Sequence, residues 1–404
     1  MNYILFDEPR TRQALLPLTF TRPISHIRLG IVTIAEKWQH FLQVTPGYFT
    51  EIYLQKKYTH DWLADNLLIN GAVCPDHDLV KAIRNLQPGE SIHSEGELIA
   101  LRTGTRLQEP AEIVSLVNQK PVTAYTAPIT RLRNLCDIFL LNGAQIQADY
   151  QWLTEGRISE PVNDPHTVMY NASAIFLEPG ANTRACILNA ESGPIYIGKN
   201  AHIQEGSIIR GPFAIGQESV VALGAKMRGD ITVGPHCKVG GEISNSVIFG
   251  YSNKGHEGYL GNSVLGEWCN LGADTNTSNL KNDYSTVKQW SYEAGDYKDT
   301  GRQFVGLVMG DHSKAGINTM FNTGTVVGVS ANIFGGDFPP KHVPSFTWGG
   351  ATGLDIYRLD KALAVAERVL ERRNLALDEI NRDLLTHIFQ LTHGQKHSIG
   401  FRRD

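Results

Sequence analysis

An α/β domain, then an all-β left-handed parallel β-helix, then a C-terminal helix is the fold class that the sequence predicts. Three observations predict it. An apolar residue recurs every six positions through the middle of the chain; short apolar runs mix with helical stretches before that region; and an amphipathic stretch follows it. The expected boundaries are 1–160 for the α/β domain, 165–350 for the β-helix and 354–404 for a helical tail. A chain of 404 residues is long enough for two or three such domains.

The repeat carries the most information. Ile197, Ile203, Ile209, Ile215, Val221, Met227, Val233 and Val239 follow one another at a spacing of six. Neither the 3.6-residue period of a helix nor the alternation of a single strand produces this pattern. A triangular coil does, with each hexad forming one short side whose first residue points into the prism. Small residues such as Gly198, Gly216, Gly234 and Gly240 follow where the chain turns a corner. The period lapses between Ser244 and Tyr259, returns at Leu265 and Leu271, and resumes at Met309, Ala315, Phe321, Val327 and Ile333. Lapses of this kind predict loops expelled from the coil. Fifteen hexads at three per turn give five regular coils, a stack of roughly 24 Å at about 4.8 Å per layer. Two weaker turns around Ile175 to Ile195 are expected to cap it.

The remaining elements follow from simpler patterns. Asn2 to Phe6 and Leu67 to Ile69 read as strands and Ile31 to Leu42 as a helix, with a linker at Gly156 to Pro165. After the coil, Leu359, Leu363, Ala366 and Leu370 share one face of a helix. The insertion from Lys281 to Phe304 holds Trp290, Tyr292 and Tyr297, which are expected to lid a site, face a partner or anchor the segment.

Composition excludes several functions. The formal net charge of -4 supplies no field to hold a nucleic acid. No run approaches the ~18 apolar residues of a membrane span, and Asp7 and Glu8 interrupt the first apolar run. Cys74, Cys136, Cys186, Cys237 and Cys269 are scattered without a CxxC pair, which predicts buried thiols in a reducing, cytoplasmic compartment. His202, His236 and His312 are expected to be structural residues at hexad corners, and His393 and His397 to be part of a polar tail.

The first lapse reads NKGHEGYLG and leads into LGEWCNLGAD. Here the sequence resembles the family of bifunctional bacterial N-acetylglucosamine-1-phosphate uridyltransferases with glucosamine-1-phosphate acetyltransferase activity. In that family the coil carries K-x-G-H-x-x-Y-x-G followed by N-x-G-A-G. The resemblance implies a sugar-1-phosphate nucleotidyltransferase fused to a CoA-dependent acetyltransferase for an amino-sugar phosphate, of the kind that makes UDP-N-acetylglucosamine. It also implies acetyl-CoA as cosubstrate and a homotrimer with sites between subunits. Imidazole suits removal of the proton that an attacking amine must lose, so His256 is the expected base. Glu242 matches a family glutamate and would orient the imidazole or hold the amine. Tyr259, Asn270, Asn279 and Lys254 would contact the sugar, and Ala273 would lie along the pantetheine arm. Where the family has a lysine two residues after that glutamate this chain has Ser244, and the family's phosphate-binding arginine falls near Ala222, with Arg228 the nearest substitute.

In the same family the amino-terminal domain wraps a nucleoside triphosphate in a glycine-rich loop. This chain has FDEPRTRQALLPLTFTRP there, without a glycine before Gly30, and continues with Arg28 to Trp38 as in an alternative branch of these fused proteins. The resemblance makes the domain α/β and nucleotidyltransferase-like, with Arg12, Arg22 and Arg28 as phosphate contacts and Asp76 and Asn142 near a nucleotide-bound Mg2+. Two alternatives stand beside the bifunctional reading: retention of only one activity, or a non-enzymatic scaffold.

Overall fold

The computed structural model describes residues 2–117 and 122–393. The chain forms two compact units, one of residues 1–27 and 32–137, the other of residues 28–31 and 138–404.

The first unit is built on a mixed six-stranded sheet. Its order is Gly47–Phe49, Asn2–Phe6, Asn66–Asn70, Glu97–Thr103, Ser91–Ser94, Val122–Ala124. The first three strands run parallel, and Glu97–Thr103 is antiparallel to both of its neighbours. Apolar residues of these strands, Ile4, Phe6, Phe49, Leu68 and Leu101, bury together. The helix expected from Ile31 starts at Ile34, because Thr33 and Glu36 close a capping box that sets its first turn.

The second unit is dominated by a parallel three-faced coil. The first face stacks Val168–Tyr170, Ile187–Asn189, Ile208–Arg210, Lys226–Met227, Glu242–Ser244 and Tyr259–Gly261. The second face stacks nine strands from Ile175–Leu177 to His342–Val343, and the third stacks nine parallel strands from Asn182–Thr183 to Thr347–Gly350. Nine layers span about 38 Å, against the five regular coils that the strict period gave. Two causes hide the extra turns. The segment from Ser244 to Tyr259 is not expelled: the inward residues run Val239, Ile243, Ile248, Lys254, Leu260, Leu265, Leu271, so shortened corners reduce the spacing to four or five. One of those inward positions is also a lysine. The strands around Ile175 to Ile195 are full members of the stack.

The true expulsion is the later one. Lys288–Ser291 and Asp296–Asp299 pair as an antiparallel hairpin, with the Trp290 ring stacked on His342 at 4.0 Å and Tyr297 edge-on to Trp290 at 5.3 Å. Beyond the coil the chain makes a further strand, Gly353–Ile356, then two helices, Leu359–Glu371 and Glu379–His393, separated at Asn374 in the left-handed region. Ala362, Leu363, Ala366 and Leu370 are the buried stripe of the first. His397 lies outside the described residues.

All five cysteines are free and buried. Cys237 and Cys269 donate to the carbonyl oxygens of Phe249 and Gly310 inside one corner, and burial raises both thiols, Cys237 to about 12. His236 and His312 sit at that corner; His202 is on a strand of the third face.

Candidate active site

The corner between the third and first faces is where the predicted residues gather. Lys254 pairs in register with Val239 and therefore points into the prism, where it is 1% exposed. Its ammonium donates to the carbonyl oxygens of His256 at 2.5 Å and Glu257 at 3.2 Å, which ties down the loop that follows. Burial lowers its pKa to about 8, opposed by Glu257 and Asp274. Lys254 is thus a positioning residue and not the sugar contact the resemblance implied; counting back from His256, the family's lysine position falls on Asn253. Gly258 turns the loop at φ 116, where a Cβ would collide with the Thr275 carbonyl oxygen.

His256 opens onto a cleft of about 690 Å3 on the third face. Asn270, Gly272 and Ala273 line it beside His256. Tyr251 and Trp268 line the opposite end; Lys238, Lys314, Arg372 and Arg373 supply positive charge, and the lining includes no carboxylate. A cleft of this composition suits an anionic ligand with an apolar arm.

A second cleft, of about 720 Å3, lies on the first face. Glu242 and Arg228 line it, paired at 2.8 Å between Oε1 and Nη1. The carboxylate expected to orient His256 therefore faces a guanidinium. Glu242 is also the register partner of Tyr259, whose hydroxyl accepts from Asn279 Nδ2 at 3.1 Å and is raised in pKa by burial. Asn279 donates further to Asn262 Oδ1 at 2.7 Å. His256, Asn270 and Ala273 thus border one cleft, and Glu242 and Arg228 the other, with Tyr259 on the strand beside Glu242.

Sequence reasoning missed Lys238, Lys314, Arg210 and Lys226. Their signal was present: Lys226, Lys238 and Lys314 each precede an inward residue, Met227, Val239 and Ala315, and so point outward from a rung.

The amino-terminal candidates are held differently. Arg12 is buried; Nη1 donates to Asp7 at 2.7 Å and to the Arg22 carbonyl oxygen at 3.2 Å, and Nη2 donates to Tyr53 at 3.0 Å and to the Thr19 carbonyl oxygen. It organises the PLTFTRP turn instead of presenting a free fork to phosphate. Arg22 is buried beside Thr21, and Arg28 donates to the Ile31 carbonyl oxygen at 2.6 Å. Asp76 caps the helix His77–Arg84 by accepting from Leu79 N at 2.8 Å. Asn142 accepts from Gly30 N and Thr232 Oγ1 and donates to the Asp230 carbonyl oxygen. Asn142 is thereby buried and taken up by the fold, whereas Asp76 is exposed and spends one carboxylate oxygen on its cap. Among the described residues no group of three or more His, Cys, Asp or Glu side chains stands ready to hold a metal.

Comparison with known proteins gives a family match for the amino-terminal part of the chain. Residues 3–158 match the family model for sugar nucleotidyl transferases. The amino-terminal part is accordingly a domain of the nucleotidyl transferase type, followed by the parallel coil and its terminal helices. A bifunctional sugar-1-phosphate nucleotidylyltransferase/acetyltransferase of Sulfurisphaera tokodaii is 36% identical over 95 residues, 24% of this chain and 23% of that protein. A bifunctional protein GlmU of Methanocaldococcus jannaschii is 34% identical over 87 residues, 22% and 21% of the two chains. The match spans about a quarter of the length of these relatives. Among solved structures, the polysialic acid O-acetyltransferase OatWY aligns over 48% of this chain and 85% of its own at 12% identity and a TM-score of 0.21. An Arabidopsis UDP-N-acetylglucosamine acyltransferase aligns over 59% and 92% at 15% identity and a TM-score of 0.17. No helix among the described residues is long and apolar enough to cross a membrane.

Proposed function

We propose that the chain is a sugar-1-phosphate nucleotidyltransferase fused to a CoA-dependent acetyltransferase for a phosphorylated amino sugar. The observation that carries the acetyltransferase half is the position of His256, held by Lys254 at the corner beside a carboxylate-free basic cleft. In this reading acetyl-CoA lies along the third face, its phosphates met by Lys238, Lys314, Arg372 and Arg373 and its pantetheine passing Ala273. His256 takes the proton of the substrate amine as its nitrogen attacks the thioester carbonyl; the C–N bond forms, the C–S bond breaks, and the proton passes to the departing thiolate. Tyr259, Asn279, Asn270, Glu242 and Arg228 bind the sugar. A homotrimer belongs to the same reading: it covers Met169, Tyr170 and Ile208, apolar and exposed on the first face. So does a cytoplasmic address.

The nucleotidyltransferase half rests on the family match of residues 3–158. A second reading, with only acetyl transfer retained, is favoured by one observation: Arg12 is consumed inside the turn that replaces the glycine-rich loop. Two assays on purified protein decide between them. Thiol release from acetyl-CoA with a phosphorylated hexosamine, together with pyrophosphate release from UTP, Mg2+ and a sugar-1-phosphate, supports the fusion. Thiol release alone supports the second reading, and neither product sinks both.

A further inference from the structure

Tyr259 and Asn279 are joined by a hydrogen bond, and a third residue decides how they meet. The Asn279 Nδ2 carries two hydrogens. It donates to the Tyr259 hydroxyl at 3.1 Å and to Asn262 Oδ1 at 2.7 Å. With both hydrogens spent, the amide has only its oxygen to offer a ligand. A phenol that accepts from Asn279 keeps its own O–H to give. The pair therefore presents one acceptor and one donor in a fixed arrangement. Asn262 is 8% exposed, and a hydrogen bond shielded from water is the stronger for it.

The main chain of Asn279 is held as well. Val305 N donates to its carbonyl oxygen at 2.9 Å, at the neck of the insertion where Leu280 and Phe304 form a bridge. Gly261 supplies an independent observation. It lies two residues after Tyr259 on one strand and so faces the same side. Its φ is not in the left-handed region, so what its missing side chain provides is space. A Cβ there would meet the Tyr259 hydroxyl and Asn279 Nδ2, the free ends of two side chains and no backbone. The simpler role for Asn262 is turning a corner, at φ 48, a conformation asparagine adopts cheaply. Asn245, at φ 43, turns the same corner one rung earlier, next to Ser244, the register partner of Gly261. Of these two asparagines, Asn262 is the one bonded to Asn279.

We propose that Asn262 is a positioning residue for the acceptor: it fixes the Asn279 amide so that its oxygen and the Tyr259 O–H together read the hydrogen-bonding groups of the amino sugar. This deepens the acetyltransferase reading above and rests on it. Asn262 touches neither substrate and takes no part in the bonds made or broken. Its effect passes through Asn279 and Tyr259, with Gly261 leaving the room in which they meet.

The test uses the full chain with glucosamine-1-phosphate and acetyl-CoA, and the variants N262G, N262D and N245G. Glycine keeps the left-handed corner and removes only the amide; aspartate keeps an oxygen for Asn279 Nδ2. N262G is expected to raise KM for glucosamine-1-phosphate by ~10-fold, the size of one lost hydrogen bond, with KM for acetyl-CoA within ~3-fold of the parent. N262D is expected to recover to within ~3-fold of the parent, and N245G to match it. N262G behaving as N245G does, or raising both KM values equally, overturns the proposal. Calorimetric binding of glucosamine-1-phosphate to parent and N262G, without acetyl-CoA, separates this failure from that of the acetyltransferase reading. If the parent releases no thiol, binding that weakens ~10-fold in N262G leaves the positioning role standing. Equal binding by the two, or none by the parent, removes it.

Discussion

Lys254 Nζ donates to the main-chain oxygen of His256 at 2.5 Å from inside the coil, two residues before the side chain it steadies. A buried ammonium spent on loop carbonyls fixes where the imidazole emerges, and misplacement of a base by about 1 Å costs on the order of 100-fold in rate. Lys254→Met keeps the prism filled and removes the tether. It is expected to lower kcat for acetyl transfer by ~10-fold or more while KM for acetyl-CoA changes by less than ~3-fold, because the cleft itself remains. Steady-state kinetics with both substrates varied checks this; a loss confined to KM would contradict it.

The same lysine makes stability depend on pH. Its pKa is about 8 in the folded chain, below the ordinary value of 10.5, because burial disfavours the charged form. Between about pH 8 and 10.5 the unfolded chain therefore binds more protons at this site than the folded one, and stability rises with pH. Urea titrations at pH 7.5 and 10 are expected to show the parent gaining stability relative to Lys254→Met across that interval. A parent that loses ground to the variant as pH rises would contradict the assignment.

Arg12 yields a prediction about folding instead of binding. Its fork joins Asp7, Tyr53 and the carbonyl oxygens of Thr19 and Arg22, with both members of the Arg12–Asp7 pair nearly inaccessible. Arg12→Ala strands the Asp7 carboxylate and is expected to destabilise the amino-terminal unit by about 3–5 kcal/mol. Chemical denaturation followed by circular dichroism reads it. A fully stable variant with a raised KM for nucleotide would instead make Arg12 a phosphate contact.

The coil was legible because most of its inward positions keep a fixed spacing, so the prism could be read from Ile197 to Val239 without any structure. It became illegible where corners shortened and Lys254 replaced an apolar residue, which made continuous rungs look like an expelled loop. That His256, Asn270 and Ala273 share one cleft was legible through the motif's spacing. Lys238, Lys314, Arg210 and Lys226 were not, because an outward lysine on one rung reads as a solvated surface residue until the rungs are stacked. Arg12 was misjudged for the opposite reason: charge suggested phosphate, whereas Asp7, five residues earlier in the same segment, is its partner.

Glu242 and Arg228 form a pair with side chains 35% and 63% exposed. Such pairs add little stability, so Glu242→Gln is expected to shift unfolding by no more than ~1 kcal/mol. Its cost falls on the acceptor: KM for the amino sugar should rise by ~10-fold, since the carboxylate holds the substrate ammonium and steadies Arg228. Thermal melts and acceptor kinetics on the same preparation check both halves, and an unchanged acceptor KM would remove Glu242 from the site.

The most direct test of the account compares His256→Ala with the parent, using thiol release from saturating acetyl-CoA and whichever amino-sugar acceptor the parent uses best. Loss of ~100-fold or more in kcat, with acetyl-CoA binding retained, is the result expected for removal of a general base from an intact cleft. Turnover within a few-fold of the parent would contradict it, and the corner that Lys254 holds would then serve some purpose other than acetyl transfer.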